Sequence, residues 1–448
     1  MLFKNQKQII QNGQTTELKR VRKDILKILT SALNAVDAYN VVKKKFIGKN
    51  IALGSKKFDI SDFENIYLIG FGKASVKMAQ AICDSISIKK GAIITNEADK
   101  NVKKSCVNTL IGTHPVPDQK SIDATERLLD IAEKCEENDL LIVLISGGGS
   151  ALFCKPRISL DDLQKVTDLL LKSGANIKEI NTIRKHLSLV KGGHLAKLTK
   201  CTVISLIISD IIGDPIEFIS SGPTYPDLTT YNDAKKILKK YKLWMKIPYS
   251  IRKTIDDGIN EKIPETPKKD DQCFNKVFNF IVANNKIACK AAEKKSKELG
   301  YKTFLLTTIL DGEAKEVGKY LVNQAINFKT NTKNLIFISG GETTVTVKGK
   351  GIGGRNQEMV LSSIYKLADK NVIFSSFATD GIDGMCNAAG AIADAYTLKR
   401  ARKINLDPNM FLKENNSYEF FKNLGDYFNT GPTGTNVMDI QLLIKVLK

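Results

Sequence analysis

Short apolar runs of strand length alternate along this chain with longer segments of helical period, and the runs are continuous rather than alternating in hydrophobicity. They read IYLIG (66–70), GAIIT (91–95), LLIVLIS (140–146), VISLIIS (203–209), FNFIVA (278–283), KTFLLTT (302–308), NLIFIS (334–339) and NVIFSSF (371–377). A run that alternates needs a cover on one face only, whereas a continuous run needs both faces covered. Strands of that kind, separated by helices, predict an α/β fold with mostly parallel sheets covered by helices.

At 448 residues the chain exceeds the size at which a single core stops growing, so two domains are expected. The polar stretch DDGINEKIPETPKKDDQ (256–272), with two prolines, separates the first group of strands from the second. This predicts domains over 1–265 and 275–448, each a mostly parallel sheet, the first Rossmann-like. Hydrophobic content of 42% suits a soluble protein, and no apolar run approaches the ~18 residues of a membrane span, so no membrane partner is expected. The first sixteen residues are basic but lack the apolar core of a signal peptide. Eight cysteines stand singly at 83, 106, 135, 154, 201, 273, 289 and 386, a spacing that fits neither a disulfide framework nor a zinc site. A reducing, cytoplasmic setting is expected.

The excess of 68 Lys+Arg over 48 Asp+Glu gives a net charge of +20, which suits nucleic acid, a membrane surface or acidic small substrates. The lysines fall in pairs and triplets along the whole length, such as Lys43 to Lys45 and Lys294-Lys295, with little aromatic interleaving. Solvated helix faces explain that pattern better than a nucleic-acid surface does.

In open α/β sheets ligands bind beyond the carboxyl ends of strands, so the residues just after each strand carry the most weight. The first strand is followed by GFGKAS (70–75), an incomplete dinucleotide fingerprint in which Lys73 suits a point charge on a phosphate or carboxylate. In LLIVLISGGGSALF (140–153), Ser146, Gly147, Gly148, Gly149 and Ser150 form a loop able to wrap an anion with amides and hydroxyls. It lacks the GK[ST] of a P-loop. Across 176–197, Ile180, Ile183, Leu187 and Val190 form an apolar stripe beside a polar one of Asn181, Arg184, Ser188 and Lys191. Arg184 and Lys191 could reach an anion from that face, or simply meet solvent.

The segment GKGIGGRNQE (349–358) is a glycine loop opening a helix, with Gly353 and Gly354 before Arg355, and is expected to hold an anion on helix amides and a guanidinium. Two strands end in paired aspartates, Asp210 with Asp214 and Asp380 with Asp383, which are candidates for Mg²⁺ or for accepting a hydroxyl proton. The histidines, His114, His186 and His194, show no metal-ligand spacing and are expected to be structural.

These motifs identify a resemblance. GFGKAS, THPVPD, SGGGSALF, EINTIRKHLSLVKGGHLA, SDIIGDPIEFISSGPTYPD, SGGETTVTVKGKGIGGRNQE, ATDGIDG with NAAGA, and GDYFNTGPTGTNVMD follow in order over most of the chain. The chain resembles the ATP-dependent glycerate 2-kinases, whose carboxyl-terminal half contains the MOFRL region, here about 333–444. The resemblance implies transfer of the ATP γ-phosphoryl group to the 2-hydroxyl of D-glycerate, with Mg²⁺, in a cleft between two α/β domains. It implies Lys73 and Arg355 as the basic pair of the site and Asp210 as a catalytic or metal carboxylate. The loop 146–150, Asn181, Arg184, Lys191, Glu342, Gly353 and Gly354 complete the substrate and phosphate contacts. It leaves room for a homodimer. Ser339 stands where the family often has a third glycine, and His194 replaces a commonly longer polar or basic residue.

Two other readings compete. Members of the family have also carried the name hydroxypyruvate reductase, but a nicotinamide enzyme needs an acidic ribose ligand, and Glu97 and Asp99 lie too far beyond the second strand. A basic nucleic-acid-binding protein without catalysis would leave the glycine loops and paired aspartates unexplained.

Overall fold

The computed structural model describes residues 2–329 and 334–446, so the expected spans touch undescribed residues at 1, 330–333, 447 and 448. The chain forms two compact units, residues 38–282 and residues 1–37 with 283–448. No helix among the described residues is long and apolar enough to cross a membrane.

The unit of residues 38–282 is built on six strands: β1 (Ile66–Phe71), β2 (Lys90–Thr95), β3 (Val107–Ile111), β4 (Leu140–Ile145), β5 (Thr202–Ile208) and β6 (Val277–Ala283). Their order across the sheet is 3-2-1-4-5-6, that of a doubly wound dinucleotide-binding sheet. The β1–β2, β1–β4, β2–β3 and β4–β5 pairings are parallel. β1 and β4 are buried along their whole length, as their unbroken apolar runs require. Helices such as Gln119–Ala132 cover the sheet, and Leu128, Leu129, Leu141, Val143 and Val203 share one core cluster. A small antiparallel sheet of Phe46–Ile47, Asn50–Leu53 and Lys56–Asp59 precedes β1.

The other unit has a five-stranded sheet of β7 (Lys302–Leu310), β8 (Leu335–Gly341), β9 (Val372–Ala378), β10 (Gly390–Ala393) and β11 (Asp439–Lys445), in the order 7-8-11-9-10. Only β7–β8 is parallel; β8–β11, β11–β9 and β9–β10 are antiparallel. The expectation of a mostly parallel sheet in both halves therefore holds for the first sheet alone, and the second is mixed. Continuous hydrophobicity reports cover on two faces and carries no information about direction. The carboxyl-terminal strand β11 inserts between two strands that run the other way.

Two expected boundaries also shift. β6, grouped by position with the later strands, is the outer strand of the first sheet, so the polar stretch 256–272 lies inside that unit. Residues 1–37 belong with the second half rather than with 38–265. The helix Thr16–Ala35, capped by Thr15, buries Val21, Ile25, Ile28 and Leu29. From its buried side Arg22 forks onto Asp394, with Nε and Nη2 at 2.9 and 2.7 Å, and reaches Asp426 through Nη1 at 2.7 Å. Amphipathic spacing predicts that a helix has a core face but not which core receives it.

Candidate active site

The strand order of the first sheet reverses between β1 and β4, which is where a crevice opens beyond strand ends in sheets of this kind. The loops after these two strands interlock. Lys73 N–H donates to the Gly147 carbonyl at 2.9 Å, Ala74 N–H donates to Ser146 Oγ at 3.1 Å, and Ser146 N–H donates to the Phe71 carbonyl at 3.2 Å. Phe71 and Phe153 stack beneath them with centroids 4.3 Å apart. All three glycines have a geometric reason, and a Cβ at Gly149 would strike Ser220 Oγ. A Cβ at Gly147 would collide with the Asp210 carboxylate, and Gly148 has φ +84° with His114 Cδ2 only 3.0 Å from where its Cβ would be.

Lys73 and Arg184 are the cations left open around this loop. Among the described residues neither side chain has a hydrogen bond or ion pair, although Arg184 is sufficiently buried that desolvation lowers its pKa. Lys191 differs from expectation, because its Nζ donates to the Ser150 and Phe153 carbonyls at 2.7 and 2.8 Å. It therefore fixes the loop rather than presenting a free charge. Burial lowers its pKa to about 8. Ser150 Oγ lies 3.1 Å from Ser221 Oγ, which donates to Asn181 Oδ1 at 2.8 Å.

Ser220 and Ser221 were not singled out from the sequence. They have φ of +51° and +63° and precede Gly222 at +60°. Consecutive non-glycine residues in the left-handed region are strained, and such strain collects at functional sites. The SSGP turn was the available signal. Asp210 follows β5 and faces Gly147, whereas Asp214, at φ +57°, lies four residues further along the loop.

In the other unit, Arg355 is not an open anion receptor. Its Nε and Nη2 fork onto the two Asp439 oxygens at 2.6 and 3.0 Å, and Nη1 lies 3.0 Å from Glu342. Asp439, also missed from the sequence, is fully buried at the start of β11, opposite Gly341 and Ala378. Burial pushes its carboxyl up to about 7, while the Arg355 fork pulls the other way. The isolated acid before IQLLIKV was the signal for it.

The helix Arg355–Leu361 does hold an anion at its start, but the anion is internal. Asp383 Oδ1 accepts from Asn356 N–H and Nδ2 at 3.0 and 3.2 Å, and Oδ2 accepts from Gln357 N–H and Nε2 at 2.8 and 3.0 Å. A Cβ at Gly354 would strike this same aspartate, and one at Gly353 would strike Ser417 Oγ. Four donors occupy the carboxylate, so Asp383 is reassigned from candidate metal ligand to helix cap. Asp380 accepts from Ile382 N–H at 3.0 Å. Among the described residues no three His, Cys, Asp or Glu side chains cluster as a metal cage.

The geometry defines a two-unit α/β protein with a glycine loop and open cations at the switch point of a doubly wound sheet. Residues 24–256 match the family described as a domain of unknown function (DUF4147), and residues 335–439 match the MOFRL family. The chain is 43% identical to glycerate 2-kinase of Pyrococcus horikoshii, over 96% of this chain and 98% of that one. It is 40% identical to D-glycerate 2-kinase of Thermotoga maritima, over 85% and 90%. The crystal structure of glycerate kinase from Thermotoga maritima superposes with a TM-score of 0.85 at 36% identity, covering 96% of this chain and all of that one. The chain belongs to the MOFRL-containing glycerate kinase family.

Proposed function

We propose that this protein transfers the γ-phosphoryl group of ATP to the 2-hydroxyl of D-glycerate, giving 2-phosphoglycerate and ADP. The observation that carries the reading is the pair of unneutralised cations, Lys73 and Arg184, around the 146–150 loop. Glycerate brings a carboxylate and ATP brings phosphates, and phosphoryl transfer asks a protein mainly for positioning and charge stabilisation. Half-buried cations without internal partners among the described residues supply that charge without reorganisation at the moment of reaction.

The loop amides and the Ser150, Ser221 and Asn181 groups would orient the hydroxyl-bearing substrate. Lys191 would keep the loop in shape. In the other unit, Arg355 with Glu342 would offer its remaining donors to an anion while holding Asp439. Gly353 and Gly354 would seat this loop on Ser417 and Asp383 beside that anion.

Magnesium fits this donor set only as an ion carried in with the nucleotide, because phosphate oxygens and water then complete a shell begun by one or two carboxylates. Asp210 is the fitting protein ligand beside the loop, with Asp214 and Asp380 as the remaining candidates. The ion would neutralise phosphate charge. A homodimer belongs to the same reading through the family resemblance, and light scattering on the purified chain tests it. A cytoplasmic setting is supported by the eight free cysteines.

The direct test supplies D-glycerate, ATP and Mg²⁺ to the purified protein and distinguishes 2- from 3-phosphoglycerate by which coupling enzyme must be added. Joint appearance of ADP and 2-phosphoglycerate supports the proposal. Their absence, together with nicotinamide oxidation on hydroxypyruvate, would replace the kinase with a reductase.

A further inference from the structure

We propose that His114 is the group that takes the proton from the 2-hydroxyl of glycerate, acting from its seat beside Gly148 and Lys73. This rests on the kinase reading and goes beyond it by naming the proton acceptor.

His114 lies on the loop that follows β3, at the same carboxyl edge of the sheet as the glycine loop. Its flanks are tightly held. Thr113 N–H donates to Ser121 Oγ at 2.9 Å, Thr113 Oγ1 donates to the Val116 carbonyl at 2.9 Å, and Asp118 caps the helix Gln119–Ala132. Pro115 and Pro117 restrict the backbone further. The imidazole carried by this rigid loop is half-buried, yet neither ring nitrogen has a hydrogen-bond partner among the described residues.

The other two histidines are engaged. His186 Nδ1 lies 2.7 Å from the Thr182 carbonyl, and its Nε2 lies 2.9 Å from Glu265. His194 Nδ1 lies 2.7 Å from the Lys191 carbonyl, and its Nε2 lies 3.1 Å from Arg157. A partly buried imidazole normally finds a partner, so an open one in a ligand crevice is placed for a ligand.

The surroundings suit a base. His114 faces Gly148, with Cδ2 and Nε2 at 3.0 and 3.4 Å from the position a Cβ there would occupy, so glycine leaves room at the ring. The charged group that faces it is Lys73. Burial first, and the Lys73 charge second, hold its pKa below 6.5. At neutral pH the ring is therefore uncharged and one nitrogen keeps a lone pair.

The step balances without another reactant. The 2-oxygen forms a bond to the γ-phosphorus as the bond from that phosphorus to the bridging oxygen breaks, and ADP leaves with that electron pair. The hydroxyl proton passes to the free ring nitrogen, and the electrons of the O–H bond remain on the attacking oxygen. Asp210, whose carboxylate lies against Gly147, would contribute negative charge to a nucleotide-borne cation.

The test compares wild type with His114→Gln and His114→Ala on D-glycerate and Mg-ATP, with thermal melts as a check on folding. The expected result is a fall in kcat of about a hundredfold or more with KM for both substrates little changed. The acidic limb of the wild-type kcat profile disappears in the variants, and added imidazole restores part of the rate in His114→Ala. A folded variant that keeps more than a tenth of kcat overturns the inference, as does a loss of rate with the limb unchanged and no imidazole rescue. The limb is read on wild type as well, so its absence there overturns the inference even if a variant fails to fold. Wild type that makes no 2-phosphoglycerate at any pH overturns the kinase reading itself, a result distinct from an active variant.

Discussion

Arg355 grips Asp439 at two points, with Nε 2.6 Å and Nη2 3.0 Å from the two carboxylate oxygens of a side chain that solvent does not reach. Removing the guanidinium strands a buried carboxylate. Arg355→Ala is therefore expected to destabilise the protein by about 3 kcal/mol, the lower end for a broken buried pair because Arg355 itself is partly exposed. Arg355→Lys should recover only part of this, since a point charge cannot reproduce the fork. Chemical denaturation measures both, and an unchanged midpoint for Arg355→Ala would remove the structural role assigned to the pair.

Lys73 and Arg184 lead to the opposite expectation. Neither has a carboxylate partner among the described residues, and desolvation lowers the pKa of Arg184. Lys73→Ala and Arg184→Ala should each lower kcat/KM at least about a hundredfold while leaving the melting temperature unchanged or raised. A variant that melts early but turns over normally would show these to be structural cations.

The glycine loop and the SSGP turn give a pair of substitutions with opposite signs. Gly148→Ala places a side chain at φ +84° and against His114, and should cost about 1–2 kcal/mol together with much of the activity. Ser220→Gly relieves a residue at φ +51° and should stabilise by up to about 1 kcal/mol. Paired melting curves decide both, and equal shifts of the same sign would refute the strain argument.

His194 makes acid stability measurable. Burial, aided by the Arg157 guanidinium and opposed by the hydrogen bond to the Lys191 carbonyl, lowers its pKa from 6.5 to about 4. The unfolded chain then binds a proton before the folded one does. The contribution to stability is complete above pH 6.5 and is lost as pH falls toward 4, amounting at most to roughly 3 kcal/mol. His194→Gln should flatten the stability curve across that window, and a parallel curve would show that other groups carry the acid transition.

Arg22 ties the amino-terminal helix to Asp394 and Asp426 with no solvent contact. Arg22→Met should cost about 3–5 kcal/mol, as removal of one partner leaves buried charge unpaired. Wild-type stability in this variant would show that apolar packing alone seats the helix.

Much of the first sheet was legible because β1, β2, β4 and β5 announce themselves as unbroken apolar runs bounded by glycine, serine and aspartate. β3, with the mixed sequence VNTLI, and β10, a short GAIA, lack that signature and emerged only in three dimensions. The glycine loop at 146–150 and Lys73 were legible for the same reason: strand ends rich in small and charged residues stand out locally. Asp439 and Ser221 did not, because each gains its meaning from partners far away in the chain.

Local order along the chain thus determined the α/β class, most of the strands, the ligand-facing loops and the membership of a kinase family, since all of these depend on residues within a few positions of one another. Tertiary structure alone decided which charges are free. Arg355 and Lys191 look no different in sequence from Lys73 and Arg184, yet the first pair is spent on Asp439, Glu342 and two backbone carbonyls, and the second is not. A charge is neutralised by whatever group the fold brings within hydrogen-bonding distance, and that distance is set by packing between segments the sequence keeps far apart.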